Sequence, residues 1–185
     1  MTVSDGDALI PSDRDVATLA RIRENVRALM SRAGRGHGAA AARLLDIAPQ
    51  DHEGARPYFP ASVAIETLDI DPSSGCTHIG DICRPVSSIE DGRFDYIVCT
   101  EVLEHVLQPF DAVAEIRRML RPGGRLFLST PFDFRIHGPL PDCWRFTEHG
   151  LRALLADFRI VELAGLEAPE RPLMPLHYTV VAERP

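Results

Sequence analysis

The chain contains no lysine, and all 20 of its basic side chains are arginine. That absence excludes Schiff-base catalysis on a lysine and the phosphate-binding lysine of a P-loop. No run of 18 apolar residues occurs, and the acidic opening MTVSDGDALIPSDRD has no apolar stretch, so neither a membrane span nor a secretory leader is expected. Cysteine is scarce: Cys76, Cys83, Cys99 and Cys143 show no Cys-x-x-Cys spacing and no paired histidine arrangement. Structural zinc and a disulfide scaffold are therefore not indicated. With a net charge of −7 and no basic block, the chain lacks the electrostatic footprint that binds many phosphates. The expectation is a reduced, cytoplasmic protein without nucleic-acid or membrane partners. At 185 residues it is long enough for one sizeable core and short for two.

Val16, Leu19, Ile22, Val26 and Leu29 recur at helical spacing behind Ser12, which predicts an amphipathic helix ending near Gly34. Residues 1–42 are expected to be a helical segment packed on a core domain over 43–185. The glycines of GRGHG (34–38) follow a helix and precede a strand, the reverse of a phosphate cradle, so a helix stop and linker are expected there. From Arg43 the pattern changes. RLLDI, SVAIETLDI, CTHIGDI, FDYIVCT and RLFLST read as five strands bounded by turn residues. Pro109, Val113, Ile116 and Leu120 mark a helix between the last two, stopped by RPGG. Strand, helix, strand at this spacing implies a parallel sheet covered on both faces. Thr147 can cap a helix through EHGLRALLADF, and RIVELAGLE and LHYTVVAE then form strands with no room for a crossover helix between them. Those two should pair antiparallel.

FDYIVCTEVLEHV (94–106) followed by AEIRRMLRPGGRLFLSTP (114–131) is similar to the fourth-strand, helix and fifth-strand signature of class I S-adenosylmethionine-dependent methyltransferases of the small-molecule type. With the flanking strands the resemblance covers residues 43–185. It implies an α/β fold: a Rossmann-like, seven-stranded, mostly parallel sheet with a C-terminal antiparallel hairpin and helices on both faces. It also implies S-adenosylmethionine as cofactor and a small-molecule acceptor.

An open parallel sheet gathers the carboxyl ends of its strands at one crevice, where ligands bind. Those ends hold Asp46 to Gln50, Asp69 and Asp71, Asp81 and Ile82, Thr100 and Glu101, and Ser129 to Phe132. An aspartate ending one strand is usually a turn former, and it is the repetition at successive strand ends that carries weight. Asp69 follows Asp46 by 23 positions, in keeping with a carboxylate beyond the second strand that accepts from ribose hydroxyls, with Ile70 beside it. The resemblance implies that Asp81 accepts from the adenine amino group, that Ile82 meets the ring, and that Thr100 and Glu101 lie near the methionine part. Glu104 is read as structural, and His105 as structural or catalytic.

The first loop departs from the family. Ala48, Pro49 and Gln50 stand where glycines are expected. Ala48 is tolerable if φ stays negative, whereas Pro49 removes an N–H donor. Gln50 can replace it with a side-chain donor, and Arg23, Arg27 and Arg56 are candidates to hold the cofactor's carboxylate. No metal is expected, because no clustered carboxylate and histidine set is visible.

The segment TPFDFRIHGPLPDCWRFTEHG (130–150) interleaves aromatic and polar residues, as a pocket for an amphipathic, sugar-like or other secondary metabolite would, and also as a capping loop would. Phe132, His137, Asp142, Trp144 and Arg145 are its candidate acceptor-binding residues. His137 is the preferred general base, since imidazole titrates near neutral pH. Transfer to nitrogen or oxygen is expected. The rivals are a methyltransferase-like binding protein without catalysis and a nicotinamide-dependent oxidoreductase; the missing glycine loop argues against the second.

Overall fold

Residues 11–36, 41–49 and 54–185 are described by a computed structural model of the chain. In sequence order the elements are α1 (Asp13–Gly36), β1 (Arg43–Ile47), a 3-10 turn (Arg56–Tyr58), β2 (Ala64–Asp69), β3 (His78–Ile79), β4 (Phe94–Thr100), α2 (Pro109–Met119), β5 (Leu120–Pro131), α3 (Glu148–Leu154), β6 (Arg159–Leu166) and β7 (His177–Glu183). The seven strands form one sheet in the order β3-β2-β1-β4-β5-β7-β6. β1, β2, β3, β4 and β5 run parallel, and β7 is antiparallel to both β5 and β6. The expected terminal hairpin is present, with its second strand inserted between β5 and β6.

Alternation along the central strands produces two apolar layers. Leu45 and Ile47 of β1 and Ile97 and Cys99 of β4 face a core completed by Ala112, Ile116 and Met119 of α2 and Leu151 and Leu154 of α3. On the opposite face, Leu44, Tyr96, Val98, Phe127 and Val181 meet Leu29, Met30 and Ala33 of α1. Phe59, from the 3-10 turn region, closes that layer against Tyr96 and Phe127, with ring centroids 6.3 and 6.4 Å away.

Capping sets the helix starts. Ser12 Oγ accepts from Asp15 N at 3.2 Å while Asp15 Oδ2 accepts from Ser12 N at 2.9 Å, a reciprocal cap for α1. Thr147 Oγ1 accepts from Gly150 N at 3.1 Å and starts α3, as its position suggests.

The helix α1 ends at Gly36, within the GRGHG run, and a Cβ at Gly34 would lie 1.8 Å from the Tyr58 carbonyl oxygen, so that glycine also permits a close approach of helix to 3-10 turn. Three features differ from the sequence reading. The RPGG run does not separate α2 from β5 but bulges within β5, whose pairing jumps from Phe94↔Leu120 to Tyr96↔Arg125. Gly123 takes φ +74 there, and its N–H donates to the Arg184 carbonyl at 2.8 Å. β3 is only two residues, because the chain turns at Gly80, whose N–H is taken by the Asp69 carbonyl at 2.9 Å. α3 ends at Leu154, four residues before the expected end at Phe158. Among the described residues no helix is long and apolar enough to cross a membrane, and all four cysteines are free thiols.

Candidate functional site

Strand order reverses between β1 and β4, so the crevice lies beyond their carboxyl ends. Two adjoining cavities open there, of about 690 and about 360 Å³, within the range of small-molecule sites. Both are lined by Pro49, Glu101, His105 and Pro139, which form the boundary between them.

The larger cavity collects the ends of β1, β2 and β3. Asp69, Ile70, Asp81 and Ile82 line it together with Ala48, Leu68 and Leu107. Asp69 Oδ1 accepts from Asp71 N at 2.8 Å, and Asp81 Oδ1 accepts from Cys83 N at 2.9 Å. In each case the carboxylate braces its own turn through one oxygen. Asp71 is turned to its own loop, accepting from the N–H and the hydroxyl of Ser73, each at 2.8 Å. Ile70 and Leu107 stay 69% and 66% exposed while lining this cleft, which gives it apolar walls that await a partner.

At the end of β1, Asp46 is 4% exposed and accepts from Ala55 N at 2.6 Å, tying down the loop after the strand. Burial pushes its carboxyl up to about 6 despite that bond. The condition on which alanine is tolerable at position 48, a negative φ, is not met. The φ of Ala48 is +49 and its N–H donates to the Leu68 carbonyl at 2.7 Å, a left-handed turn made without glycine at a cost of about 1–2 kcal/mol. Gln50 lies outside the described residues.

β4 ends at Thr100, which lines the smaller cavity, and places Glu101, just beyond it, at the boundary. Glu101 also sits at positive φ, +56, and its Oε1 accepts from Ser129 Oγ at 2.7 Å and from His177 Nε2 at 2.6 Å. Asn25 Nδ2 of α1 lies 2.9 Å from His177 Nδ1, so the amide donates to Nδ1 and Nε2 carries the proton given to Glu101. Net of burial, the His177 and Ser129 contacts hold the Glu101 carboxyl below its usual value.

The smaller cavity lies between α1 and the 130–150 segment, lined by Ile22, Arg23, Val26, Phe134, His105 and His137. His105 and His137 meet edge to face with centroids 5.0 Å apart. His105 Nδ1 donates to the Pro141 carbonyl at 3.0 Å, and His137 Nδ1 is 3.1 Å from Asp142 Oδ2. Burial lowers the pKa of His105. Glu104 is fully buried, and neither of its carboxylate oxygens has a hydrogen-bond partner. Burial first, then the Glu101 charge, push its carboxyl well above the ordinary range. The expectation that carboxylate and histidine do not cluster is overturned: Glu104, His105 and His137 bring one ligand-type atom each within 4.8 Å of one another. Glu104 and His105 are neighbours in sequence, but His137 reaches them only through the fold of the 130–150 loop.

The remaining acceptor candidates take supporting positions. Asp142 is clamped by Arg145 through bonds of 2.5 and 2.7 Å and accepts from the His137 backbone N–H at 2.9 Å, so the pair orients His137. Phe132 packs edge to face on Tyr178, 5.9 Å between centroids, and lines neither cavity. Trp144 stacks on Phe146 and donates from Nε1 to the Val106 carbonyl at 2.8 Å, fastening the loop to the segment after β4. Of the three arginine candidates, Arg56 is occupied by the carbonyls of Phe59, Pro60 and Val63, whereas Arg23 lines the smaller cavity. Sequence reasoning missed His177 and Asn25, which act through Glu101 rather than on a ligand, and the α1 residues that wall the cavity.

A family profile described as Methyltransferase domain matches residues 18–163. A ubiquinone biosynthesis O-methyltransferase of Xanthomonas oryzae pv. oryzae is 47% identical over 51 residues, 24% of this chain and 21% of the relative. One of Pseudomonas aeruginosa strain LESB58 is 46% identical over 39 residues, 21% of this chain and 17% of the relative. The matches thus span about a fifth of these relatives' length. Among solved structures, a methyltransferase of Methanosarcina mazei superposes with a TM-score of 0.62 at 18% identity, covering 81% of this chain and 95% of its own. A 1,6-didemethyltoxoflavin-N1-methyltransferase of Burkholderia thailandensis, solved with its substrate and S-adenosylhomocysteine, does so at 0.60 and 19% identity over 95% and 91% of the two chains.

Proposed function

Because the chain belongs to the methyltransferase-domain family, we propose that it is an S-adenosylmethionine-dependent methyltransferase acting on oxygen or nitrogen of a small, amphipathic metabolite of sugar-like or secondary-metabolite type. The observation that carries the reading is that Asp69 and Asp81, from successive strand ends, open into one cavity that meets a second one at Glu101 and His105.

The residues present fit the donor. Asp69 and Asp81 each engage their own turn through one oxygen, so each retains acceptor capacity for a ligand donor. In this reading Asp69 takes the ribose hydroxyls and Asp81 the adenine amino group. Ile70, Ile82 and Leu107 supply apolar walls for the base. Thr100 and Glu101 meet the methionine part, and Arg23 is the cation for its carboxylate. Asp46 and Ala48 shape the loop beneath, and Gln50 remains a candidate donor from the same loop. Bound there, S-adenosylmethionine supplies an electrophilic methyl group on a sulfonium.

Chain residues do the positioning, which can contribute about 7–11 kcal/mol to lowering such a barrier. Ile22, Val26 and Phe134 hold the apolar body of the acceptor, and His105 and His137 face its reactive end. Their Nδ1 atoms point to Pro141 O and Asp142, which leaves each Nε2 with a free lone pair in the neutral ring. Groups of that kind draw on the proton an oxygen acceptor must lose, which favours oxygen over nitrogen. Asp142 and Arg145 position His137, and Phe132 and Trp144 hold the loop that carries it. On this reading residues 43–185 form the donor cleft and the helix of the 1–42 segment closes its acceptor side.

Calorimetric titration with S-adenosylhomocysteine tests the proposal. Saturable binding is expected, weakened about tenfold by Asp69→Asn, the size of one neutral hydrogen bond at its upper end. No binding at high ligand concentration would instead favour a non-catalytic, partner-binding protein, and binding of NAD in its place would favour an oxidoreductase.

A further inference from the structure

We propose that Glu104, His105 and His137 form a binding site for a divalent transition-metal cation at the boundary between the two cavities, open toward the acceptor side. Three independent features converge on it. First, Glu104 is a fully buried carboxylate whose two oxygens both lack a hydrogen-bond partner. An unpaired buried carboxylate is among the costliest groups a fold can carry, and such groups in native structures are paired or coordinate metals.

Second, the lone pairs face one another. The Pro141 carbonyl can only accept, so His105 Nδ1 carries the hydrogen and Nε2 is the electron-pair donor. His137 Nδ1 is likewise directed at two acceptors, Asp142 Oδ2 at 3.1 Å and the Arg135 carbonyl at 3.2 Å. Its Nε2 is therefore also unprotonated in the neutral ring. These two nitrogens lie 3.7 and 3.9 Å from Glu104 Oε1, too far for a hydrogen bond. Glu104 Oε1 and the two imidazole nitrogens thus converge on one point. Ligands at about 2.0–2.2 Å from one tetrahedral ion are about 3.4 Å apart, so side-chain adjustments of under about 1 Å would close the set.

Third, the outer contacts are those of metal-binding histidines, which give their second N–H to a backbone carbonyl or a carboxylate. Asp142 is in turn fixed by the Arg145 clamp.

A set of one carboxylate and two imidazoles suits zinc, manganese, iron or cobalt better than calcium or magnesium, which prefer all-oxygen ligation. Three protein ligands leave a coordination position for a further donor. His105 and His137 both line the smaller cavity, so that donor would be a hydroxyl oxygen of the acceptor. The metal site stands on its own geometry; the identity of the further ligand rests on the methyl-transfer reading above, and it assigns the imidazoles to holding the ion rather than to taking the proton themselves.

The test uses the untagged full chain, freed of metal with a chelator, and calorimetric and thermal-melt titrations with Zn²⁺ and, separately, Mn²⁺. One ion per chain is expected, with a rise in melting temperature. Glu104→Gln should abolish both, yet melt no lower than wild type without metal, since it keeps the side chain's shape and breaks no hydrogen bond. Asp142→Asn should weaken binding by about 10–100-fold through loss of the carboxylate behind His137. Cys143→Ser should change nothing, which excludes thiol capture. No binding to wild type, or equal binding to Glu104→Gln, overturns the site. S-adenosylhomocysteine is titrated into the same metal-free preparation; its failure to bind would count against the donor reading and leave the metal result standing.

Discussion

Replacing His177 with alanine is expected to be among the most damaging single changes in the sheet, although the residue touches neither cavity directly. His177 is fully buried on β7, and its Nε2 lies 2.6 Å from a Glu101 carboxylate that is 15% exposed. With Asn25 donating to Nδ1, the ring is held as the tautomer that gives its proton to Glu101. His177→Ala strands a largely buried carboxylate on the single donor Ser129 Oγ and opens a void. Breaking such a pair from one side costs about 3–5 kcal/mol, which for a domain of this size lowers the melting point by about 6–20 °C. Urea denaturation at neutral pH measures it. Most of that loss belongs to the orphaned charge, so Glu101→Gln combined with His177→Ala should recover at least about 1.5 kcal/mol relative to His177→Ala alone. A single-variant cost below about 1 kcal/mol, or losses that simply add in the double variant, would refute the reasoning.

Asp46→Asn should flatten part of the pH dependence of stability. The Asp46 carboxyl is raised from 3.8 to about 6 in the fold, so the folded chain keeps a proton that the unfolded chain has lost. Its contribution is fully present below the unfolded value and falls away as pH rises through about 6, by about 3 kcal/mol at most. Urea unfolding of wild type and variant at several pH values between those limits checks the difference, and parallel curves would contradict it. Gly34→Ala forces a methyl group onto the Tyr58 backbone, 1.8 Å from its oxygen, and should cost about 1–3 kcal/mol in a thermal melt, against the slight gain expected at an open helical site. Asp81→Ala should weaken S-adenosylhomocysteine without changing the melting point by more than about 2 °C, because Asp81 braces only a surface turn; an equal loss of stability would make it structural.

The central strands were legible because their alternation and β-branched content report burial directly: FDYIVCT and RLFLST appear where their patterns put them. Other features depend on contacts remote in sequence. CTHIGDI reads as a strand, yet only His78 and Ile79 pair, since Gly80 and Asp81 are spent on a turn. RPGG has the composition of a helix stop and a turn, and its place inside β5 follows from Arg184 arriving alongside it from the far end of the chain. The amphipathic face of α1 announced that the helix is packed but not that Ile22, Arg23 and Val26 would wall a cavity. Aromatic residues in the 130–150 segment suggested a pocket, whereas Phe132 and Trp144 found partners in Tyr178 and Phe146. Glu104 reads as structural in the sequence, with nothing there to show that it is buried. Its burial comes from the loop carrying Cys143 and Trp144, whose N–H groups both donate to the Glu104 carbonyl, at 2.6 and 3.2 Å.

Methyl transfer by this chain requires a single cleft that accepts an adenosyl sulfonium across the ends of β1, β2, β3 and β4. A crystal structure of the chain with S-adenosylhomocysteine addresses this most directly. The ligand is expected with its ribose hydroxyls on Asp69, its adenine amino group on Asp81 and its sulfur directed to the boundary at Glu101 and His105. A ligand bound elsewhere, or with its adenine turned away from Asp81 and Ile82, would contradict it.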